Sequence, residues 1–263
     1  MAWRGLTKQQ WNAMRGHLPE PKRSARGGRP RVEDRRCLEG ILWILWTGSP
    51  WSELPQRYGS PSTCWRRLKH WEEAGILLNL WRAFLGQLND QQQRRWDECF
   101  ADGSCIPANK GEPKSARRHA ARGQSGGCWS MARVRRWEQS LDAASPAEVT
   151  RLEQTLDTVA VGRPGKPGRP RKRPTRLSAD RGGDSNPLRA RLARRGMEPI
   201  IPARRHHKRA TPQEGRQRRR DRRRWLVERT FAWLGHFRRL VVRYEHLITT
   251  SAGFFHLACA RLT

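Results

Sequence analysis

RRCLEGILWILWTGSPWSELPQRYGSPSTCWRRLKHWEEAG, residues 35–75, reads as helices separated by tight breaks. Leu38, Ile41, Leu42 and Leu45 fall at i, i+3, i+4 and i+7, the stripe of an amphipathic helix expected over Val32–Trp46 and ended by Gly48. Ser49 followed by Pro50 offers an N-cap and a first helical residue, so Trp51–Tyr58 reads as a short second helix closed by Gly59. Ser62 can cap a third helix running to about Ala74, with Trp65, Leu68 and Trp71 inward and Arg66, Arg67, Lys69 and His70 outward. This is a helix-turn-helix layout. In such a motif the second helix of the pair lies in the major groove, where Arg and Lys reach guanine edges or phosphates. On an isolated helix the same face would read as merely solvated; the charge of the whole chain decides between the two.

Lys and Arg number 54 against 24 Asp and Glu, a formal charge of +30. Such a field needs a polyanion or an anionic membrane. The longest apolar run, Gly40–Trp46, falls far short of the roughly 20 residues a bilayer span requires, so no membrane is expected and nucleic acid is the partner. None of the six cysteines forms a CxxC pair, and the start MAWRGLTKQQW has no signal-peptide apolar stretch. The chain therefore reads as cytoplasmic, with buried free thiols rather than a zinc site.

Outward from this core, PKRSARGGRPR (21–31) is a basic linker or arm, Leu77–Leu88 a further helix, and NDQQQRR a polar joint. A boundary follows there, giving domains 1–92 and 93–263. WDECFADGSCI (96–106) is strand-like, with Asp102 at its end. Ser145-Pro146 opens a helix to about Val159, and Arg176–Asp180 is a short strand. Asn186-Pro187 starts a helix closed by Gly196, and Pro199–Ala203 is one more strand. Alternating strand and helix predicts an α/β layered domain. Between them VGRPGKPGRPRKRP (161–174) cannot pack; Gly168-Arg169-Pro170, like Gly28-Arg29-Pro30, resembles the core of a minor-groove arm, and a plain charged linker explains it as well. Basic residues crowd 204–224, beside His206 and His207, and lead into a helix bearing Glu228.

Acidic residues are scarce, so those in apolar or Gly-flanked contexts stand out: Asp102 in FADGS, Asp180 in LSADRGGDS, Glu228 in WLVERTFAWL. Three such groups can hold two divalent ions, about 4 Å apart, that activate a water or 3′-hydroxyl and stabilise the leaving oxygen at phosphorus. Carboxylates are the ligands hard cations take. The competing reading for Glu228 is a salt bridge to Arg224, four residues earlier.

The segments RRCLEGILWILWTGSPWSELPQRYG, DECFADGSCIPA, SPAEVTRLEQTLDT, LSADRGGDSNPLRARLARRG, EPIIPARR and WLVERTFAWLGHFRRLVVRYEHL resemble the bacterial insertion sequence 5-like transposases, of the insertion sequence 4/5 superfamily. The resemblance implies an RNase H-like catalytic domain after the helix-turn-helix, with Asp102, Asp180 and Glu228 catalytic and holding Mg2+ or Mn2+. It implies double-stranded DNA as partner, both terminal inverted repeats and target, and a homodimer or higher assembly at paired ends, nucleoid-associated in a bacterial cytoplasm. Arg66, Arg67, Lys69, His70, Arg169 and Arg224 are the DNA-binding candidates. In the superfamily a tyrosine, an arginine, the glutamate and a lysine follow at set spacing: Arg224 matches the arginine, whereas Asp221 and Gly235 stand where the tyrosine and lysine would be.

A larger departure spans KSARRHAARGQSGGCWSMARVRRWEQS (114–140). An RNase H-like sheet needs two more apolar strands after the first, yet Val134 is the one β-branched residue in this segment and no alternation runs a strand length. The second and third strands are unaccounted for, and a local frame change in the gene explains this most simply. The rival function is accordingly a catalytically inactive DNA-binding remnant or repressor. A basic RNA-binding protein would account for the charge but not for the placed carboxylates.

Overall fold

The computed structural model describes residues 3–20, 31–91, 98–101, 152, 156, 173–180, 184–202 and 225–262. The chain divides into two compact units. Met1–Trp81 and Leu234–Leu262 form one, and most of Arg82–Trp233 the other.

The first unit is helical. Helix α1 (Lys8–Arg15) starts on a reciprocal cap, Thr7 accepting from the Gln10 N–H while the Gln10 side chain accepts from the Thr7 N–H. Helix α2 (Asp34–Thr47) buries Leu38, Ile41, Leu42 and Leu45, the predicted stripe. Gly48 closes it at φ 71°, a left-handed turn that glycine adopts without strain. In place of one helix over Trp51–Tyr58 there are two 3-10 turns, Trp51–Glu53 and Gln56–Tyr58. Pro55 is the cause: it lacks an N–H and drives Leu54 to extended backbone, φ −62° and ψ 122°. Helix α3 (Pro61–Glu73) is capped by Ser60 rather than Ser62; Ser60 is extended and its hydroxyl accepts from the Thr63 N–H at 3.2 Å. Pro61 takes the first helical position. After Gly75, α4 runs from Ile76 to Gln91.

The C-terminal residues complete this unit. Beyond Gly48, Tyr58 packs so close to α2 that a Cβ at Gly40 would lie 2.8 Å from the Tyr58 Cβ. The last helix of the chain (Ile248–Leu262) lies on α3 and α2 in the same core. A Cβ at Gly253 would sit 2.8 Å from Leu68 Cδ1, His256 Nδ1 is 3.0 Å from Glu72 Oε2, and Arg261 reaches Gln10 and the Arg4 carbonyl.

The second unit carries a small parallel sheet of β1 (Glu98–Phe100), β2 (Arg176–Ser178) and β3 (Glu198–Ile200), in that order. Parallel neighbours require crossovers. Helix α5 (Asn186–Arg194), capped by Ser185, makes the one from β2 to β3. Cys99, Ala101, Leu177 and Ala179 share a core with Leu152, Leu156, Leu188, Leu192, Met197 and Ile201. Residues 152 and 156 are helical, within the helix predicted after Ser145; its other residues lie outside the described ones. Helix α6 (Trp225–Gly235) lies mostly in this unit, whereas the short α7 (Arg238–Val241) and α8 (Ile248–Leu262) belong to the first. The class is thus α/β, mostly helical with a small parallel sheet. Among the described residues no helix is long and apolar enough to cross a membrane.

Candidate nucleic-acid interface and carboxylate site

Helix α3 has a sharply divided surface. Cys64, Leu68 and Trp71 are buried, whereas Arg66 and His70 are exposed. Lys69 is half-buried, its Nζ 3.7 Å from Glu73 Oε1 and 5.8 Å from the Trp65 ring centre. Arg67 departs from the expectation that it faces outward. At 3.6 residues per turn it lies about 40° from Trp71 and about 60° from Cys64, at the edge of the core side. Its guanidinium pairs with Asp34, donates to the Val32 carbonyl at 2.8 Å, and has a side chain only 10% exposed. Arg67 therefore ties α3 to the start of α2. Trp65, expected inward, is half-buried.

Beneath this face Cys64 donates to the Cys37 sulfur at 3.8 Å. That hydrogen bond holds the Cys37 thiol down at about 7, against the desolvation that pushes it up. The Cys64 thiol, the donor of the same bond, is driven upward and keeps its proton. Cys37, Cys64, Cys99 and Cys259 are all buried free thiols, as the sequence predicts.

Of the three carboxylates, Asp180 is exposed two residues after β2, and Glu228 is exposed in the first turn of α6. Asp102 follows Ala101 directly but lies outside the described residues, as do Arg169 and Arg224. Among the described residues no three His, Cys, Asp or Glu gather as a metal centre would. The strand register is firm: Glu98 faces Arg176, Cys99 faces Leu177 and Phe100 faces Ser178, a constant step of 78 positions. The ladder persists past the strand ends, with the Ala101 N–H donating to the Ser178 carbonyl at 2.7 Å and the Ala179 N–H to the Ile200 carbonyl at 3.2 Å. Sequence reading passed over Asp184. It is 4% exposed and takes the Arg189 guanidinium at 2.8 and 2.9 Å, while Arg189 also reaches the Ile201 carbonyl. This pair fastens the start of α5 to the carboxyl end of the sheet. The available signal was the (i, i+5) acid–base pair flanking Ser185-Asn-Pro, a weak one.

A family model described as "Putative transposase of IS4/5 family" matches residues 6–81, and a second, "Transposase DDE domain", matches 138–263. Two relatives come from Burkholderia cepacia. "Putative transposase for insertion sequence element IS402" is 40% identical over 119 residues, 45% of this chain and 52% of that protein. "Insertion element IS402 uncharacterized 16.2 kDa protein" is 39% identical over 92 residues, 34% of this chain and 63% of its own length. "Uncharacterized protein y4sN" of Sinorhizobium fredii is 37% identical over 73 residues, 28% of this chain and 57% of that one. The chain thus spans between about half and two thirds of these relatives' lengths. No solved structure matches it.

Proposed function

The chain belongs to the IS4/5 family of DDE transposases, and from that premise we propose that it binds the terminal inverted repeats of an insertion sequence and cuts and transfers the strands. Residues 1–92 recognise the ends as a helix-turn-helix, with Arg66, Lys69 and His70 as the reading face. Residues 93–263 supply an RNase H-like catalytic domain with Asp102, Asp180 and Glu228 as its acidic triad. Basic Arg169 and Arg224 contact phosphates, two or more copies act at paired ends, and the protein works on DNA in the bacterial cytoplasm.

The observation that carries this is the 78-position register of β1 and β2. In the sequence Asp102 stands 78 positions before Asp180, the same step as that register, which supports assigning the two to one site. Facing residues on adjacent parallel strands are about 4.8 Å apart and point to the same side. Asp180 follows β2 at the carboxyl end of the sheet, where open α/β sheets keep their ligands. Asp180 and Glu228 are exposed oxygen donors, the kind that hard divalent ions take. Magnesium or manganese held there would supply Lewis acidity toward phosphate and lower the pKa of an attacking water. The chain's own share is to present Asp180 just past β2 and Glu228 on α6, and to hold the DNA through its basic residues.

The test is cleavage of a DNA fragment bearing the element's end, with magnesium and with manganese. Asp102→Ala, Asp180→Ala or Glu228→Ala should each abolish cleavage and leave binding intact; an active Glu228→Ala protein rules that residue out. Binding should fall steeply with salt, since each neutralised phosphate adds about 0.9 to the log–log slope.

A DNA-binding remnant is the second reading, and residues 114–140 favour it: they lack strand pattern, and 82–137 fall outside both family matches. Here the chain as written binds without cutting. Replacing about 124–140 by the adjacent-frame translation restores cleavage, and equal cutting by both versions rejects the frame change as an account of function.

A further inference from the structure

On α6, Trp225, Arg229 and Trp233 stand at i, i+4 and i+8, one above another along the helix. The Arg229 guanidinium carbon lies 4.7 Å from the Trp225 ring centre and 4.9 Å from that of Trp233. Arg229 is exposed, and Trp225 is 51% exposed, more than any other large hydrophobic side chain among the described residues. An indole in water is an unusual use of the largest apolar side chain, and here its neighbour on the ladder is a cation rather than a hydrophobic residue. Glu228 is the adjacent residue of the same helix.

We propose that Trp225, Arg229 and Trp233 form a stacking platform that holds an unpaired nucleotide of the DNA strand beside Glu228. The proposal deepens the transposase reading and rests on it. Indole faces stack on any base, and a guanidinium between them supplies the charge that the nucleotide's phosphate needs. Bases in an intact duplex have both faces covered by their neighbours, so the ligand is a nucleotide that has left the stack. A second copy of this chain fits the ladder worse, because it brings the same +30 charge to a surface centred on an arginine.

The chain has 13 tryptophans, so its own fluorescence cannot report on one of them; a base analogue in the DNA can. The probe is a single-stranded oligodeoxyadenylate carrying one 2-aminopurine, beside the same sequence as a blunt duplex, with the full chain and no divalent metal. The expected result is quenching of 2-aminopurine by the wild-type chain. Trp225→Ala should weaken single-strand affinity about five- to a hundredfold and lose the quenching, with duplex affinity unchanged. Trp225→Phe should retain most of both, and Arg229→Gln should weaken single-strand affinity while steepening nothing in the salt slope of the duplex. Unchanged quenching in Trp225→Ala overturns the proposal, as does an equal loss on single strand and duplex. A fall in the DNA-free protein's sedimentation mass on Trp225→Ala also overturns it, by making the ladder a contact between copies. Because neither metal nor cutting is needed, failure of the triad and failure of the platform are separate results.

Discussion

Arg239 and Glu245 form a buried ion pair, Nη2 to Oε1 at 2.6 Å with side chains 6% and 8% exposed. The same guanidinium reaches back about 190 positions to the carbonyls of Gly48 and Ser49, at 3.3 and 3.2 Å. The C-terminal residues are thereby bound to the turn that leaves α2. Removing one partner of such a pair leaves an uncompensated buried charge, which costs about 3–5 kcal/mol. Arg239→Ala should therefore melt well below wild type, and removing residues 234–263 should unfold the helical unit. A truncated chain that still binds DNA and melts as before would show that the pair is incidental.

Arg66 and Arg67 adjoin in sequence and should separate in experiment. Arg67→Ala leaves Asp34 short of its nearest cation at a site only 13% exposed, a loss of about 2 kcal/mol. Arg66→Ala should leave the melting temperature unchanged and reduce preference for the element's ends over random DNA. Thermal melts paired with gel shifts on both DNAs read out the two effects; the opposite assignment would invert the face of α3.

The Cys37–Cys64 contact makes a titration prediction. Cys37 is held near 7 by its hydrogen bond from Cys64, below the ordinary thiol range. A depressed acid contributes stability above its unfolded pKa, and that contribution is lost as pH falls through about 7. Thiolate absorbance should show one group titrating near neutrality in wild type. In Cys64→Ala, where burial remains and the donor is gone, that step should move up; an unmoved step would mean the hydrogen bond is not its cause.

Much of the helical unit was legible because periodicity reports local structure. Leu38, Ile41, Leu42 and Leu45 sit on one face whatever packs there. Arg67 was misread because a positive charge was weighed above its angular position, which lies only about 40° from Trp71 on the helix. The cap is Ser60 rather than Ser62 because Pro61, between the two serines, takes the first helical position and puts Ser62 inside α3. Helix α8 left no stripe to read: Phe254, Phe255, Leu257, Ala258, Cys259 and Ala260 are all buried, so the helix is apolar around most of its girth, and its partners lie some 180 positions away. The Thr7/Gln10 cap of α1 was present in the sequence and was passed over. In the second unit the βαβ order was legible from Asn186-Pro187 and Gly196. The alignment of β1 on β2 is a tertiary relation that neither segment carries alone.

Metal-directed backbone cleavage tests, without requiring activity, whether Asp102, Asp180 and Glu228 share one divalent-metal site. Iron(II) is substituted for magnesium on the full chain bound to DNA, ascorbate and peroxide are added, and the protein fragments are mapped. Cuts are expected to cluster at about 102, 180 and 228, all suppressed together by excess magnesium and all lost in Asp180→Ala. Cuts at His206 and His207 alone, or a pattern unaltered in Asp180→Ala, would contradict it.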